Sequence, residues 1–255
     1  MDEINIRHDN VGAPGTPVVL IHGVSDNLAA WDRVLDAWQP DRPVVRYDLR
    51  GHGDSFHPAP PWSINDFVVD HRQVLDRLGY PTAHTVGFSL GGLVAQAVAA
   101  RQPTRVARLV VVGAIAGRTE AERSAVLDRL ANIESLGPVE VAKQSVERWY
   151  TAEYLAAHPE VAEETIRKMA QLNPISYRAA YRVLATSDLV SELPNITAPT
   201  LALTGEHDVG SPPRMTLTIA SGVADGQAVI IPNARHAVLT ENAALLAKEI
   251  DQFVC

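Results

Sequence analysis

Gly87-Phe88-Ser89-Leu90-Gly91-Gly92 is the segment of the chain best suited to form a covalent bond with a substrate. It lies between a β-branched run, His84-Thr85-Val86-Gly87, and a helical stretch rich in small residues, Leu90 to Arg101. A serine on a sharp strand-to-helix turn projects outward, and such a turn closes only if the residues two positions either side lack side chains. Gly87 and Gly91 meet that condition. The helix that starts at Leu90 also aims its free N–H groups and positive dipole end at the same place.

Serine is a weak nucleophile near neutral pH and needs a base within hydrogen-bond reach. Of the nine histidines, His236 follows the run Ala228-Val229-Ile230-Ile231 through Pro232-Asn233-Ala234-Arg235 and precedes the closing helix. That places it on a loop at the carboxyl edge of a parallel sheet, the edge that also carries Ser89. His8, His57 and His158 fall in surface loops or near the terminus, His71 inside a helix, and His84 at the entrance of a strand. Asp208, in Gly205-Glu206-His207-Asp208 after the run Thr200–Thr204, shares the carboxyl edge and is the expected orienting acid. A carboxylate there fixes the imidazole tautomer and stabilises the imidazolium. Glu206 is its rival, Glu241 a more remote one, and His207 reads as a neighbour.

His22-Gly23-Val24-Ser25 ends the first core strand. The N–H of Val24, opposite the N–H of Leu90, would give two donors for a developing oxyanion. His22 would then hold the loop. Ser25 and Phe88, next to these groups, are candidate pocket residues. Asp48, Arg50, His52 and Asp54 could suggest a metal, but they sit in a glycine-rich loop where alternating charges tie a turn together. No His-x-x-x-His or paired-cysteine spacing supports a metal site, so no metal and no cofactor is expected.

Such residues must be positioned by a scaffold, and the first half of the chain alternates short apolar runs with amphipathic stretches, the pattern of a parallel sheet flanked by helices. Strands are expected at Val18–Ile21, Val44–Tyr47, His84–Gly87 and Leu109–Val112. Helices are expected from about Asn27 to Trp38, from Ser63, where Ser63 and Asp66 have capping spacing, and over Leu90–Arg101. From Arg118 to Thr186 no strand pattern appears. Helical segments Glu120–Leu136, Val139–Trp149, Val161–Leu172 and Ser176–Ala185 alternate with Gly137-Pro138, His158-Pro159 and Asn173-Pro174. The α/β rhythm then returns with a strand at Thr200–Thr204, a helix at Pro213–Ala220, a strand at Ala228–Ile231 and a helix at Glu241–Phe253. The expected organisation is an α/β core of residues 1–117 and 187–255 with a helical cap, 118–186, inserted in it.

The formal net charge is −8 and no run of lysine or arginine occurs, which argues against a nucleic-acid partner. The longest apolar stretch, Leu109 to Ala116, is too short to span a bilayer. The start, Met1-Asp2-Glu3-Ile4-Asn5, has no signal-peptide character. The only cysteine, Cys255, allows no internal disulfide. A cytoplasmic protein acting on a small molecule is expected, and composition is silent on oligomeric state.

Taken together, these motifs resemble the α/β-hydrolase fold family over nearly the whole chain. Nucleophile, acid and histidine stand in the family's order, as Ser89, Asp208 and His236, and the similarity extends to His22-Gly23, to Asp48 through Ser55, and to Gly205 through Pro213. The resemblance implies a mostly parallel twisted sheet flanked by helices with an inserted helical cap. Within the family the chain looks like the 3-oxoadipate enol-lactonase-like group of small esterases and lactonases, through Glu147-Arg148-Trp149-Tyr150-Thr151 and Ala157-His158-Pro159-Glu160-Val161. It keeps His22-Gly23 where dedicated enol-lactonases often carry an Asn-Ser type sequence, which leaves the particular lactone open.

The expected chemistry is hydrolysis of a small carboxylic ester or lactone through an acyl-enzyme, with Trp149 and Tyr150 as pocket walls. Arg118, Arg148 and Arg178 are candidates to clamp a substrate carboxylate. Two other readings use the same constellation: cleavage of a carbon–carbon bond beside a carbonyl, and a ligand receptor with a slow triad. Perhydrolase-like side activity is also compatible with it.

Overall fold

The computed structural model describes residues 3–255; Met1 and Asp2, part of the charged start, lie outside the described residues. Seven strands form one sheet among these residues: β1 (Ile6–Asp9), β2 (Val18–Ile21), β3 (Val44–Tyr47), β4 (Ala83–Phe88), β5 (Val106–Val112), β6 (Thr200–Gly205) and β7 (Gly226–Ile231). Their spatial order is β1-β3-β2-β4-β5-β6-β7, with β1 antiparallel to β3 and every other pairing parallel. The strands β2, β3, β4 and β6 are buried along their whole length. That burial explains why they read as continuous apolar runs rather than alternating ones.

Helices cover both faces. On one side α2 (Ile64–Leu78), α3 (Leu90–Arg101) and α8 (Pro213–Gly222) pack Phe67, Val68, Leu93, Val94, Met215 and Ile219 against the sheet. On the other, α1 (Asp32–Trp38) and α10 (Ala243–Val254) contribute Val34, Leu246, Ile250 and Phe253, with Trp31 at the end of a 3-10 turn before α1. The capping pair read from the sequence is present: the N–H of Ser63 donates to the Asp66 carboxylate at 2.8 Å.

Four helices lie between β5 and β6: α4 (Glu120–Trp149), α5 (Ala152–Ala157), α6 (Glu160–Ala170) and α7 (Pro174–Thr186). They enclose a core of their own, including Val126, Leu130, Ile133, Val141, Met169, Tyr177 and Tyr181. Gly137 has φ 78° and ψ 170°, so α4 bends there into two limbs, with Pro138 opening the second.

Three elements differ from expectation. β1 carries mixed residues, Ile-Arg-His-Asp, and owes its form to antiparallel pairing with β3 at the sheet edge. α5 has six residues and is held by its cap, Thr151, which accepts from the N–H of Tyr154 at 3.2 Å. The closing helix is preceded by a separate turn, α9 (Val238–Glu241), and begins only after Asn242, whose φ of −123° interrupts the winding.

Four histidines are sequestered within the fold. Burial depresses His22, His71 and His84 to about 4 and His52 to about 3, so all are neutral in the native protein. In the unfolded chain each returns to an ordinary value near 6.5. Between 6.5 and the folded values the unfolded state therefore binds more protons, and stability falls as pH falls. Urea unfolding midpoints are expected to drop steadily from pH 7.5 to pH 5. A midpoint that holds constant over that range would contradict the assignment.

Candidate active site

The sheet order reverses beside β2: β3 lies on one side of it and β4 on the other. The loops leaving the carboxyl ends of β2 and β4 therefore part, and open α/β sheets bind ligands in the crevice this creates. Ser89 follows β4 at that crevice with φ 54° and ψ −115°, a conformation a non-glycine residue rarely adopts and one that costs roughly 1–3 kcal/mol. Its N–H is pinned to the carbonyl of Val112 at 2.9 Å. The glycines around it are sterically required. A Cβ on Gly87 would stand 2.1 Å from the carbonyl oxygen of Gly91, and one on Gly91 would stand 2.3 Å from that of Ile21. The first turn of α3 thus lies directly against β2.

Asp208 and His236 come from the neighbouring loops after β6 and β7. These loops interlock: the N–H of His207 donates to the carbonyl of Ala234 at 2.8 Å, and a Cβ on Gly205 would lie 2.2 Å from the carbonyl of Arg235. His236 Nδ1 lies 2.6 Å from Asp208 Oδ2, and His236 Nε2 lies 3.3 Å from Ser89 Oγ. Asp208 also accepts from the N–H groups of Gly210 and Ser211 at 2.8 and 3.0 Å and from the Ser211 hydroxyl at 2.8 Å. Burial alone would raise its pKa, but the adjacent His236 and the Ser211 donors outweigh burial and hold it below the ordinary value. An ionised Asp208 keeps the proton of a neutral imidazole on Nδ1, leaving Nε2 as an acceptor for the serine hydroxyl.

The rival acids are engaged elsewhere. Glu206 accepts from the N–H of Asn233 at 3.0 Å, and Glu241 binds Thr151 through both carboxylate oxygens. His207 is exposed, with Glu206 as its acidic neighbour.

His22 is fully buried and holds the loop after β2. Its Nδ1–H donates to the carbonyl of Gly23 at 2.7 Å, and its Nε2 accepts from the N–H of Leu49 at 3.0 Å. Only the neutral ring can make both bonds, in accord with its depressed pKa. Among the described residues neither the N–H of Val24 nor that of Leu90 has a hydrogen-bond partner. The loop Asp48–Ser55 is tied as a turn: Asp48 accepts from Asn5 Nδ2, Leu28 N–H and Asp54 N–H at 2.7, 2.7 and 2.9 Å. Arg50 grips Asp70 through two bonds of 2.7 Å.

A cavity of about 230 Å³ opens between Ser89 and the helices α4, α6 and α7. Val24, Ser25, Phe88, Trp149 and Tyr150 all line it, and the Phe88 ring lies 5.0 Å from that of His236. The three arginines expected to clamp a carboxylate have separate fates. Arg118 reaches the cavity wall, but its guanidinium donates to the carbonyls of Leu184, Ala185 and Ser187 at the end of α7. Arg178 is exposed and does not line the cavity. Arg148 does line it, hydrogen-bonded only to the Ser145 hydroxyl among the described residues. Sequence reasoning missed Arg129, Lys168 and Asp26, which also line the cavity. Arg148 and Arg129 thus face a common cavity, and burial, with Arg129 beside it, lowers the pKa of Arg148. Burial raises Asp26, an effect that Lys168 opposes.

Comparison with known proteins identifies the fold family. The family model described as alpha/beta hydrolase fold matches residues 16–243. The chain is similar to (E)-2-((N-methylformamido)methylene)succinate hydrolase of Acinetobacter baylyi, 30% identical over 88% of this chain and 84% of that one. It is also similar to 3-oxoadipate enol-lactonase 2 of the same organism, 29% identical over 81% and 77% of the two chains. The crystal structure of the enol-lactonase from Burkholderia xenovorans LB400 superposes with a TM-score of 0.90 at 26% identity, covering 99% of this chain and 96% of that one. No helix among the described residues is long and apolar enough to cross a membrane. On its sheet order, on the turn at Ser89 and on these matches, the chain belongs to the α/β-hydrolase fold family and is a hydrolytic enzyme.

Proposed function

We propose that the chain hydrolyses small carboxylic esters or lactones that carry an acidic group, through an acyl-enzyme on Ser89. The observation that carries this reading is the relay from Asp208 through His236 to Ser89, at 2.6 and 3.3 Å, on the wall of a cavity. Ser89 Oγ attacks the carbonyl carbon while its proton passes to His236 Nε2, and the N–H groups of Val24 and Leu90 receive the oxyanion. Collapse breaks the acyl–oxygen bond, and His236 returns the proton to the leaving oxygen, which in a lactone stays on the acyl chain. Water, deprotonated by the same imidazole, then releases the acid and restores the serine. Residues 118–186 act as the cap over a core of 1–117 and 187–255 and limit water in the cavity. Ser25, Phe88, Trp149 and Tyr150 shape the pocket. The single cysteine supports a cytoplasmic setting, and the acidic charge supports a small-molecule substrate rather than a nucleic acid.

Arg129 and Arg148 support the acidic group. Among the described residues neither forms an ion pair, and Arg148 bonds only the Ser145 hydroxyl, although the protein as a whole carries a net charge of −8. Like charges facing one half-buried space are costly unless an anion joins them. Both Acinetobacter relatives are named for derivatives of dicarboxylic acids.

Ser89→Ala is expected to abolish turnover of short p-nitrophenyl esters with its thermal unfolding unchanged; undiminished hydrolysis would refute the nucleophile. Asp208→Asn should lower kcat by roughly 10⁴-fold, as loss of the correct tautomer does in serine proteases. Glu206→Gln should have little effect, and the reverse ranking would assign the acid to Glu206. For Arg148→Gln the measurement is the ratio of kcat/KM for a mono-p-nitrophenyl glutarate to that for neutral p-nitrophenyl butyrate. This ratio should fall on the order of tenfold, the worth of a charge-assisted hydrogen bond. The exposed Arg178→Gln should leave it unchanged, and equal ratios in wild type and Arg148→Gln would remove the acidic group from the reading.

A further inference from the structure

The hydrogen bonds on either side of His236 lead out of the sheet and into the helices above it. α4 ends at Trp149, and a helix leaves its last carbonyls without donors of its own. Two of them are satisfied from the histidine loop. Arg235 donates to the carbonyl of Glu147, and the N–H of Ala237 donates to the carbonyl of Trp149 at 2.9 Å. Thr151, which opens α5, is bound from the same loop. Its N–H donates to Glu241 Oε1 at 2.9 Å and its hydroxyl to Glu241 Oε2 at 2.6 Å.

Glu241 ends α9, the short turn that follows His236. The N–H of Val238 donates to the carbonyl of His236 at 2.8 Å, and the N–H of Glu241 donates to that of Ala237 at 2.9 Å. Residues 235, 237 and 241 therefore bind the junction 147–151, and residue 236 between them carries the imidazole. A single turn such as α9 has no stability in isolation and takes its geometry from what holds its ends. One end is the sheet edge through Ala234, and the other is this junction. A charged acceptor with two donors is the strongest link in it.

We propose that Glu241, through Thr151, is a positioning residue for His236, fixing the loop so that Nε2 stays within reach of Ser89. The inference rests on the reading of His236 as the base. Proton transfer tolerates little displacement, and groups on loops keep their place only when a supporting layer holds them. Asp208 holds the ring from the side of the sheet, while Glu241 holds its backbone from the side of the helical junction.

The test is the second-order rate at which a fluorophosphonate reacts with Ser89, a step in which the serine oxygen bonds to phosphorus, fluoride leaves and the base takes the proton. Glu241→Ala is expected to slow it about tenfold in the wild-type background and by less than twofold in a His236→Ala background, because a group acting through the imidazole has nothing left to position. Thr151→Val, which deletes one hydroxyl, should show the same pattern with a smaller factor. It decides the matter if Glu241→Ala loses its circular-dichroism melting transition. An equal factor in both backgrounds, or no loss in Glu241→Ala, overturns the proposal. Wild-type reactivity in His236→Ala would instead remove the base assignment, and the proposal with it.

Discussion

The close approach of α3 to β2 is the constraint on which the site depends. The first turn of the helix meets the carboxyl end of the strand so tightly that Gly91 has no room for a methyl group. That contact forces the chain through the unfavourable φ and ψ of Ser89, and α3 holds it there by burying nearly its whole length, Leu90 through Ala99. The strain is small beside the apolar surface removed from water by Leu90, Leu93, Val94 and Val98. The hydroxyl therefore needs no help from substrate to face the crevice. Order at Ser89 is a by-product of packing in the core.

The histidines divide by the same logic. Burial keeps His22, His52, His71 and His84 neutral, and a ring that is sealed from solvent cannot exchange a proton with a substrate. His22 illustrates this: both of its nitrogens are used by backbone groups of two loops, so it shapes the loop after β2 without titrating. His236 differs in having one nitrogen toward a buried carboxylate and the other toward a cavity. Asp208 can stay ionised under burial because donors from Thr204, Gly210, Ser211 and His236 converge on it.

The parts of the candidate site that were legible in the sequence are chiefly those fixed by strand ends, with Trp149 and Tyr150 at the end of α4 besides. Ser89, Asp208 and His236 each follow an apolar run, and a parallel sheet delivers the ends of such runs to one edge. Ser25 and Phe88 were legible for the same reason, being next to those ends. The arginines were not. Whether Arg129, Arg148 or Arg178 reaches the cavity depends on the bend of α4 at Gly137 and on the packing of helix on helix, which helical periodicity does not encode. Arg178 and Arg148 look alike in the sequence, yet one is solvated and the other faces the cavity. β1 and α5 were illegible because pairing and capping, rather than composition, make them.

The two limbs of α4 consequently have different freedom. The first limb, with Val126 and Arg129, touches the cavity but makes no hydrogen bond to the histidine loop among the described residues. The end of the second limb both lines the cavity, through Trp149 and Tyr150, and offers its carbonyls to Arg235 and Ala237. A substitution in the first limb can reshape what the cavity accepts while leaving the distance between His236 and Ser89 alone. One at the junction 147–151, on the proposed mechanism, would alter pocket and proton transfer together. Under the proposed function, substrate range is therefore free to change at Val126 and Arg129, and is bound to the chemistry at Trp149 and Thr151.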